Sequence, residues 1–245
     1  MTTQDTARPV ALVTGANKGI GFAIARGLAA KGFTVLLGAR DLAAGHAAAE
    51  TLDGDVRPVL LDVTDQHQVD ALAELVENEF GRLDVLVNNA GANTLTFRPM
   101  DHLPTPTEET PEDMRRVYEV NVFAVVRMMN AFLPLLMKAD APRVVNVTSK
   151  RGSLGEEGAW AGQPSMVYSS SKTALNAITV HYARAFTDTA LKINGAAPGH
   201  VATDFNGFRG TRTPDEGAAV AIRLATLDAD GPTGTVYEDD TRLVW

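Results

Sequence analysis

The sequence predicts an α/β protein: a single doubly wound domain in which helices flank a central parallel sheet of about seven strands. Three observations lead to this prediction. Short apolar runs alternate with stretches in which apolar residues recur at the helical period, as in Phe22–Ala29. A glycine-rich segment follows the first apolar run directly. The alternation continues through residues 1–245 without a linker, so we expect one domain over the whole chain.

The predicted strands are short and apolar, as expected for strands covered on both faces. They are Val10–Val13, Phe33–Leu37, Val56–Leu61, Leu83–Val87, Arg143–Val147, Lys192–Ala197 and a last one around Gly234–Tyr237. The predicted helices contain Phe22–Ala29, Leu42–Leu52, an apolar face from Val69 to Phe80, Glu112–Met137, Tyr168 with Thr173–Phe186, and Pro214–Leu227. The stretch Asn93–Pro111 holds four prolines and is predicted to be a loop rather than an element.

Composition restricts the class of partner. With a net charge of −8, the chain would be repelled by nucleic acid and by anionic membrane surfaces, so we expect neither as a partner. The opening Met1–Pro9 lacks the apolar core of a signal peptide, and we expect no later run to span a bilayer. The absence of cysteine excludes disulfides and thiolate chemistry. We expect a cytoplasmic protein and predict no metal site.

The segment Thr14–Gly21 is the first candidate site. It joins a predicted strand to a predicted helix, where backbone N–H groups at the helix N-terminus can bind a phosphate. Gly15, Gly19 and Gly21 would let the turn close tightly and let a pyrophosphate approach the backbone. Their spacing, Gly-x-x-x-Gly-x-Gly, differs from the commoner Gly-x-Gly-x-x-Gly, and a plain strand-to-helix turn is the alternative. Three glycines in this context favour nucleotide binding by a Rossmann-type domain.

The end of the second strand indicates which nucleotide binds. At this place an acidic residue would accept a hydrogen bond from the adenosine 2′-hydroxyl, whereas an arginine suits a 2′-phosphate. Arg40 occupies the position and Lys18 adds a second cation, which predicts NADP(H); the alternative is that Arg40 is a solvated surface charge. Asp41 is a candidate N-cap of the following helix. Asp62, after the third strand, is expected either to hydrogen-bond the adenine or to help cap the next helix.

Polar residues also follow the later strands. Asn88-Asn89-Ala90-Gly91 lies at the carboxyl end of the fourth strand, where ligands bind in parallel sheets. The fifth strand leads to Ser149, and the sixth ends at Pro198-Gly199. Asn121 stands between two valines in an apolar helix, where a buried amide satisfied by backbone groups is the alternative to a functional role.

The pair Tyr168 and Lys172 supplies the candidate chemistry. Residues four apart lie on one face of a helix, one turn apart. A phenol has an unperturbed pKa of about 10, and a neighbouring ammonium favours the phenolate and makes proton donation easier. The spacing therefore indicates a general acid tuned by an adjacent cation. Alone, such a pair is as often a decoration of a solvated helix, so the assignment depends on the other residues.

Together these residues resemble the short-chain dehydrogenases/reductases. The glycine loop Thr14–Gly21, Asn88–Gly91, Ser149, the Tyr168/Lys172 pair and Pro198-Gly199 occur in the order seen in that family, over nearly the whole chain. Within the family the chain is most similar to the NADPH-dependent carbonyl reductase branch. The segments that carry this similarity are Asn17–Gly21, Ala39–Asp41, Val201–Asp204, Glu216–Ala218, Gly231–Gly234 and Trp245.

The resemblance implies catalytic roles for four residues. Tyr168 would donate a proton to the carbonyl oxygen. Lys172 would lower the pKa of the Tyr168 phenol and bind the nicotinamide ribose. Ser149 would hydrogen-bond the substrate oxygen, and Asn121 would hold a water in a proton relay to Lys172. The residues expected to bind the cofactor are Gly15, Asn17, Lys18, Gly19, Ile20, Gly21, Arg40, Asp62, Val63, Asn89, Ala90, Gly91, Tyr168, Lys172, Pro198, Gly199, Val201 and Thr203.

The function implied is reduction of a ketone or aldehyde to an alcohol, with NADP(H) as cofactor and a small carbonyl or alcohol compound as substrate. A non-catalytic NADP(H)-binding sensor or scaffold, and oxidation of an alcohol in the reverse direction, are the alternatives. Loops at the strand ends are expected to line the pocket, with an apolar wall. The loops are Asn93–Pro111, Ser153–Val167 and Phe205–Thr213, and the wall residues are Trp160, Phe205 and Phe208.

Two departures from the family pattern affect these expectations. Some carbonyl reductases carry a second arginine in the helix after Arg40, and Ala44 occupies that place here. The stretch between Ser149 and Tyr168 is longer than in minimal family members, but much shorter than the insertion that keeps some carbonyl reductases monomeric. A homodimer or homotetramer is the state that the family pattern favours.

Overall fold

The computed structural model describes residues 8–100, 102–157 and 162–244. Over these residues the chain alternates strands and helices, as the sequence predicts. The strands are β1 Val10–Val13, β2 Thr34–Ala39, β3 Asp55–Leu60, β4 Val85–Asn88, β5 Arg143–Val147, β6 Lys192–Ala196, β7 Val236–Glu238 and β8 Thr241–Arg242. The α-helices are α1 Gly19–Ala30, α2 Leu42–Ala49, α3 Gln66–Phe80, α4 Thr94–Phe97, α5 Pro111–Tyr118, α6 Ala124–Leu136, α7 Met166–Ala185 and α8 Pro214–Ala225.

The strands form one sheet in the order β3-β2-β1-β4-β5-β6-β7-β8. Every neighbouring pair from β3 to β7 is parallel, and β8 pairs antiparallel with β7. The predicted doubly wound fold is therefore confirmed, with one added strand. The sequence did not predict β8 because it has only two residues, both exposed, and no apolar run.

Both faces of the sheet are packed, which explains the apolar strands. Alternate residues of one strand point to opposite faces. In β1, Leu12 belongs to the core beneath α3, α6 and α7, whereas Ala11 and Val13 belong to the core beneath α1 and α8. Every residue of β1, β2, β4 and β5 is buried.

The strand order creates a crevice beside β1. The chain leaves β1 toward β2 on one side of the sheet, and later returns to add β4 on the other side. The loops after β1 and β4 diverge at this point, and ligands of open parallel sheets bind in such crevices, beyond the carboxyl ends of the strands. The glycine loop and Asn88–Gly91 both lie there.

Two segments differ from the expected elements. Within Asn93–Pro111, predicted as a loop, Thr94–Phe97 forms a single helical turn, and a capping box between Asn93 and Thr96 closes its N-terminus. Four residues are too few to show a helical period in the sequence. The helix expected to run unbroken over Glu112–Met137 is instead divided by a π-helical turn at Glu119–Phe123, between α5 and α6.

The stretch Pro111–Leu136 meets the length and composition of a membrane-spanning helix, contrary to the sequence expectation that no run would do so. Half of its most apolar window is buried inside the protein. Met128, Met129 and Phe132 of α6 pack in the core against the sheet, as in a core helix of a doubly wound domain.

Candidate active site

A tight turn after β5 places Ser149 next to helix α7. Its hydroxyl accepts a hydrogen bond of 3.2 Å from the Arg151 backbone N–H, which starts the 3₁₀ turn Lys150–Gly152. A Cβ at Gly152 would lie 2.8 Å from the carbonyl carbon of Lys172. Because no side chain fits in that space, glycine lets this turn pack directly on α7.

Tyr168 and Lys172 lie in the first two turns of α7, as their spacing predicts. The Lys172 Nζ atom is 5.8 Å from the centre of the Tyr168 ring. Lys172 is 4% exposed, and its Nζ donates a hydrogen bond of 2.9 Å to the carbonyl oxygen of Val147, the last residue of β5. The amino group of Lys172 therefore lies between the end of β5 and the Tyr168 ring.

Burial changes the acidity of both groups. It raises the pKa of the Tyr168 phenol, while the nearby Ser149 hydroxyl and the positive charge of Arg151 oppose that rise. From the sequence, Lys172 was the group expected to lower the pKa of the phenol. Burial lowers the pKa of Lys172 itself to about 8. Ser149 and Arg151 are thus two further groups that make the phenol more acidic.

Asn121 lies in the π-helical turn and is fully buried. Its side-chain Nδ2 donates to the Ala92 carbonyl and to the Ser171 hydroxyl, each at 2.9 Å, and its Oδ1 accepts from the Ala92 N–H at 2.8 Å. A Cβ placed on Gly91 would lie 3.5 Å from Asn121 Oδ1 and 3.8 Å from Lys172 Nζ. Asn121 thus reaches the same space as Lys172, although backbone groups already satisfy most of its amide.

The glycine loop is tied to the end of β4. The Asn89 side chain donates to the carbonyl oxygens of Thr14 and Gly15 at 2.9 and 3.0 Å. In return, the Thr14 hydroxyl accepts from the backbone N–H groups of Asn89 and Ala90. A Cβ at Gly21 would lie only 2.4 Å from the Asn89 side chain. The first turn of α1 therefore packs against this loop without a side chain between them.

The N-terminus of α1 fits a bound phosphate. Across the described ranges, no side chain caps this helix, whereas side chains cap α2, α3, α5 and α8. Its first turn holds no acidic residue. Uncapped N–H groups at a helix N-terminus are free to donate hydrogen bonds to an anion. Ile20, in this first turn, is half-buried beside them.

A cleft of about 290 Å³ opens in front of this helix end. Lys18 crosses it and forms an ion pair with Asp204, and both side chains are largely exposed. Asn17, next to Lys18, is half-buried. Arg40 is exposed beyond the end of β2. Lys18 is thus engaged with a carboxylate in this structure.

The residues after β3 already have hydrogen-bond partners within the protein. Asp62 accepts hydrogen bonds from the Thr64 backbone and hydroxyl, at 2.9 and 2.7 Å. Asp65, not Asp62, caps α3. The Val63 carbonyl accepts from the guanidinium of Arg127 at 3.0 Å. Asp41 caps α2, as its position predicted.

The segment after β6 faces the glycine loop. Gly199 follows Pro198 with a φ of 76°, a left-handed conformation that glycine adopts without strain. Thr203 is 7% exposed, and its methyl group lies 3.4 Å from where a Cβ of Gly19 would stand. The Val201 carbonyl accepts from the Asn206 side chain at 2.9 Å. Thr203 thus lines the cleft, whereas Pro198 and Val201 pack beside Gly217 of α8.

Phe205 forms part of the expected apolar wall. Its ring lies 5.7 Å from the Tyr168 ring, tilted by 56°, and its carbonyl accepts a hydrogen bond of 3.2 Å from the Asn93 side chain. Two of the loops expected to line the pocket therefore meet beside Tyr168. Phe208 is 70% exposed, and Trp160, like Trp245, lies outside the described residues.

Comparison with known proteins identifies the family. The family model described as short chain dehydrogenase matches residues 9–213, which include every catalytic candidate. The chain belongs to the short-chain dehydrogenase family. The resemblance found from the sequence motifs is thereby confirmed.

The relatives in this family include enzymes of plants and fungi. The chain is 35% identical to the short-chain dehydrogenase anuI of Penicillium roqueforti, over 97% of this chain and 96% of that protein. It is 33% identical to the (+)-neomenthol dehydrogenase of Arabidopsis thaliana, over 93% and 95%. The solved structure of salutaridine reductase from Papaver somniferum superposes with a TM-score of 0.81 at 31% identity, covering 94% of this chain and 99% of that one.

Sequence reasoning missed several residues of this short-chain dehydrogenase site. Thr14 holds the two strand-end loops together, and Ser171 joins Asn121 to the backbone of Tyr168, whose carbonyl accepts from the Ser171 hydroxyl at 2.7 Å. Ser171 lies three residues after Tyr168, so helical spacing placed it near that residue's face. Arg151 gave no signal, because a lone charge in a loop is ordinarily a solvated one.

Proposed function

We propose that the protein is an NADPH-dependent reductase that converts a ketone or aldehyde into an alcohol, with Tyr168 as the proton donor. The observation that carries the proposal is the placement of the Tyr168 ring 5.8 Å from the Nζ atom of the buried Lys172, on the helix that packs against the turn after Ser149. Membership of the short-chain dehydrogenase family supports carbonyl and alcohol redox chemistry as the activity. Relatives named as reductases and dehydrogenases support the same chemistry.

The residues divide the work between position and proton transfer. NADPH, when bound, supplies the hydride. Ser149 and Tyr168 donate hydrogen bonds toward the substrate carbonyl oxygen, where negative charge develops, and so stabilise it as an oxyanion hole does. The Tyr168 phenol then releases its proton to that oxygen. Lys172, when protonated, favours the phenolate left behind.

The choice of NADPH over NADH is supported by charge. Arg40 is exposed at the end of β2, where the 2′-substituent of an adenosine ribose lies in this fold, and Lys18 stands at the glycine loop. A 2′-phosphate would be stabilised by both cations. With Ala44 in place of a second arginine, we expect the preference to depend mainly on Arg40.

Other properties follow as proposals from composition and family pattern. We propose that the enzyme works in the cytoplasm, as a homodimer or homotetramer, without nucleic acid or membrane as a partner. Reduction is the favoured direction because cells usually hold NADP(H) in its reduced form. The same groups would remove a proton from a secondary alcohol in the reverse direction.

The deciding experiment compares the wild-type enzyme with Tyr168→Phe. We expect wild-type protein to consume NADPH with members of a panel of ketones and aldehydes. Tyr168→Phe should lose turnover by a factor of about 10³ or more, because it keeps the ring and removes only the acid. Its affinity for NADPH, measured by fluorescence titration, should remain.

Two outcomes would contradict the proposal. Turnover retained by Tyr168→Phe would remove the phenol from the mechanism. Tight NADPH binding by the wild type without turnover of any carbonyl or alcohol would instead favour the non-catalytic sensor.

A further inference from the structure

Helix α7 begins without a cap from its own neighbourhood. In the part of the chain that the structure describes, the side chain of Ser165, at the N-cap, makes no hydrogen bond to the first turn. The first N–H groups of a helix have no partner inside the helix, and burying one unpaired is costly. Val167, the second residue of α7, is fully buried, and the next residue is Tyr168. Some other group must therefore satisfy its N–H.

That group is Glu109, from the loop between α4 and α5. One carboxyl oxygen, Oε2, accepts a hydrogen bond of 3.0 Å from the Val167 N–H, across 58 positions of sequence. The other oxygen, Oε1, accepts from the Thr94 hydroxyl at 2.6 Å. Glu109 is only 7% exposed. Both of its oxygens are thus used, and the carboxyl is removed from solvent.

The buried carboxyl of Glu109 needs partners to replace its lost hydration. A carboxyl group is rarely taken out of water unless partners compensate its lost hydration. Here the partners are a hydroxyl and the positive end of the α7 dipole. Glu109 is also next to Thr110, which caps α5. The loop before α5 therefore connects three helices, and its contact with α7 lies one residue away from the phenol.

We propose that Glu109 is a positioning residue, which caps α7 from a distance and thereby holds Tyr168 against Ser149. Tyr168 is the third residue of α7, so it belongs to the turn that an uncapped helix would lose first. Fraying of this turn would move the phenol away from Ser149, whereas Lys172, one turn further on, would stay in place. This inference rests on the proposed reductase function.

The test compares two substitutions at one position. Glu109→Gln keeps an oxygen acceptor for the Val167 N–H, and its NH₂ group can donate to the Thr94 hydroxyl, because a hydroxyl both donates and accepts. Glu109→Leu has similar bulk and offers neither bond. We expect Glu109→Leu to lose kcat by about tenfold or more, with less than a twofold change in NADPH affinity, and Glu109→Gln to stay within about threefold of wild type.

A readout without catalysis accompanies the kinetics. In Glu109→Leu, amide hydrogen exchange should become at least tenfold faster in a peptide covering residues 166–170, and it should stay unchanged in Glu109→Gln. Asp65→Ala is the matched control, since it removes the cap of α3, away from Tyr168. The Asp65→Ala variant should have lower thermal stability than the wild type. Assayed with saturating NADPH, well below its melting temperature, it should keep the wild-type kcat.

Several results would overturn the inference. One is a wild-type kcat in Glu109→Leu. Another is amide hydrogen exchange at residues 166–170 of Glu109→Leu that is as slow as in the wild type. A loss of kcat in Glu109→Gln equal to that in Glu109→Leu would also do so, as would a kcat loss in Asp65→Ala of the same size. A wild-type enzyme without reductase activity would instead refute the proposed function, and the exchange measurement would still report on the cap.

Discussion

The Lys172 Nζ atom lies 5.8 Å from the centre of the Tyr168 ring and donates its hydrogen bond to the Val147 carbonyl, not to the phenol. In the proposed mechanism the lysine therefore acts on Tyr168 through its charge and its position rather than through a hydrogen bond. That charge is costly, because Lys172 is almost completely buried. Two properties of the protein, stability and turnover, depend on this one group in opposite ways.

Lys172→Met should show this opposition. The pKa of Lys172 falls from 10.5 to about 8 on folding, so between these values the unfolded chain holds a proton that the folded protein does not. The lysine's contribution to the free energy of unfolding therefore rises with pH in this window, by about 3 kcal/mol in total. Relative to wild type, Lys172→Met should be more stable at pH 7 than at pH 10.5, by about that amount.

The measurement is denaturant unfolding of both proteins between pH 7 and pH 10.5. Taking the difference cancels the titration of the other lysines. A stability difference that does not change with pH would mean that burial leaves the proton affinity of Lys172 as it is in the unfolded chain. Turnover by Lys172→Met should fall by about 10² or more, since the phenolate loses its neighbouring cation.

Ser149→Ala should separate chemistry from cofactor binding. Loss of one donor to the developing oxyanion costs about 10²–10³ in kcat. NADPH affinity should be unchanged, and stability should fall by only about 1 kcal/mol, because Ser149 caps a turn of three residues. Ser170→Ala is the matched control, since its hydroxyl bonds only the Val167 carbonyl among the contacts described. Equal kcat values in the two variants would exclude Ser149 from the site.

Arg40→Asp should change the cofactor preference. An exposed cation at the end of β2 is replaced by a carboxylate, which repels a 2′-phosphate and accepts a hydrogen bond from a 2′-hydroxyl. We expect kcat/KM to fall by about tenfold or more for NADPH and to rise for NADH. Arg115→Asp, on the exposed face of α5, controls for the change in net charge. An unchanged ratio of the two kcat/KM values would show that Arg40 does not meet the ribose.

Asp204→Asn should strengthen NADPH binding. Asp204 pairs with Lys18 across the cleft, and an exposed ion pair of this kind contributes about 0.5–1 kcal/mol. Releasing Lys18 for the 2′-phosphate should lower the KM for NADPH about two- to fivefold at low salt, with little change for NADH. A higher KM for NADPH would show instead that the ion pair holds the glycine loop in its binding conformation.

The sequence was most informative where local chemistry and fold agree. Apolar runs gave the strands, and the glycine loop identified the turn after β1, because glycine at Gly21 is required by a close approach that no other residue permits. The same reasoning placed Ser149, Tyr168 and Lys172 at one edge of the sheet. The spacing of Tyr168 and Lys172 put them on one helix face, and the resemblance of the whole set of motifs to a family was needed to bring them together with Ser149.

What the sequence did not reveal depends on contacts between distant residues. Glu109 and Val167 are 58 positions apart, and nothing local marks the loop that joins them. The influence of Arg151 on Tyr168 depends on how the turn at Gly152 packs. The π-helical turn leaves no break in the apolar pattern, because one extra residue in a 26-residue stretch changes the period too little.

That extra residue has a consequence for protein engineering. Each residue of an α-helix advances the facing direction by about 100°, so a turn with one residue too many offsets α5 from α6 by the same angle. Asn121 can thereby face Ala92 and Ser171 while Phe132 faces the sheet. Deleting one residue between Glu119 and Phe123 would make a straighter helix. Either the hydrogen bonds of Asn121 or the packing of Phe132 against the sheet would then be lost. A shortened version of this enzyme has to keep that residue count.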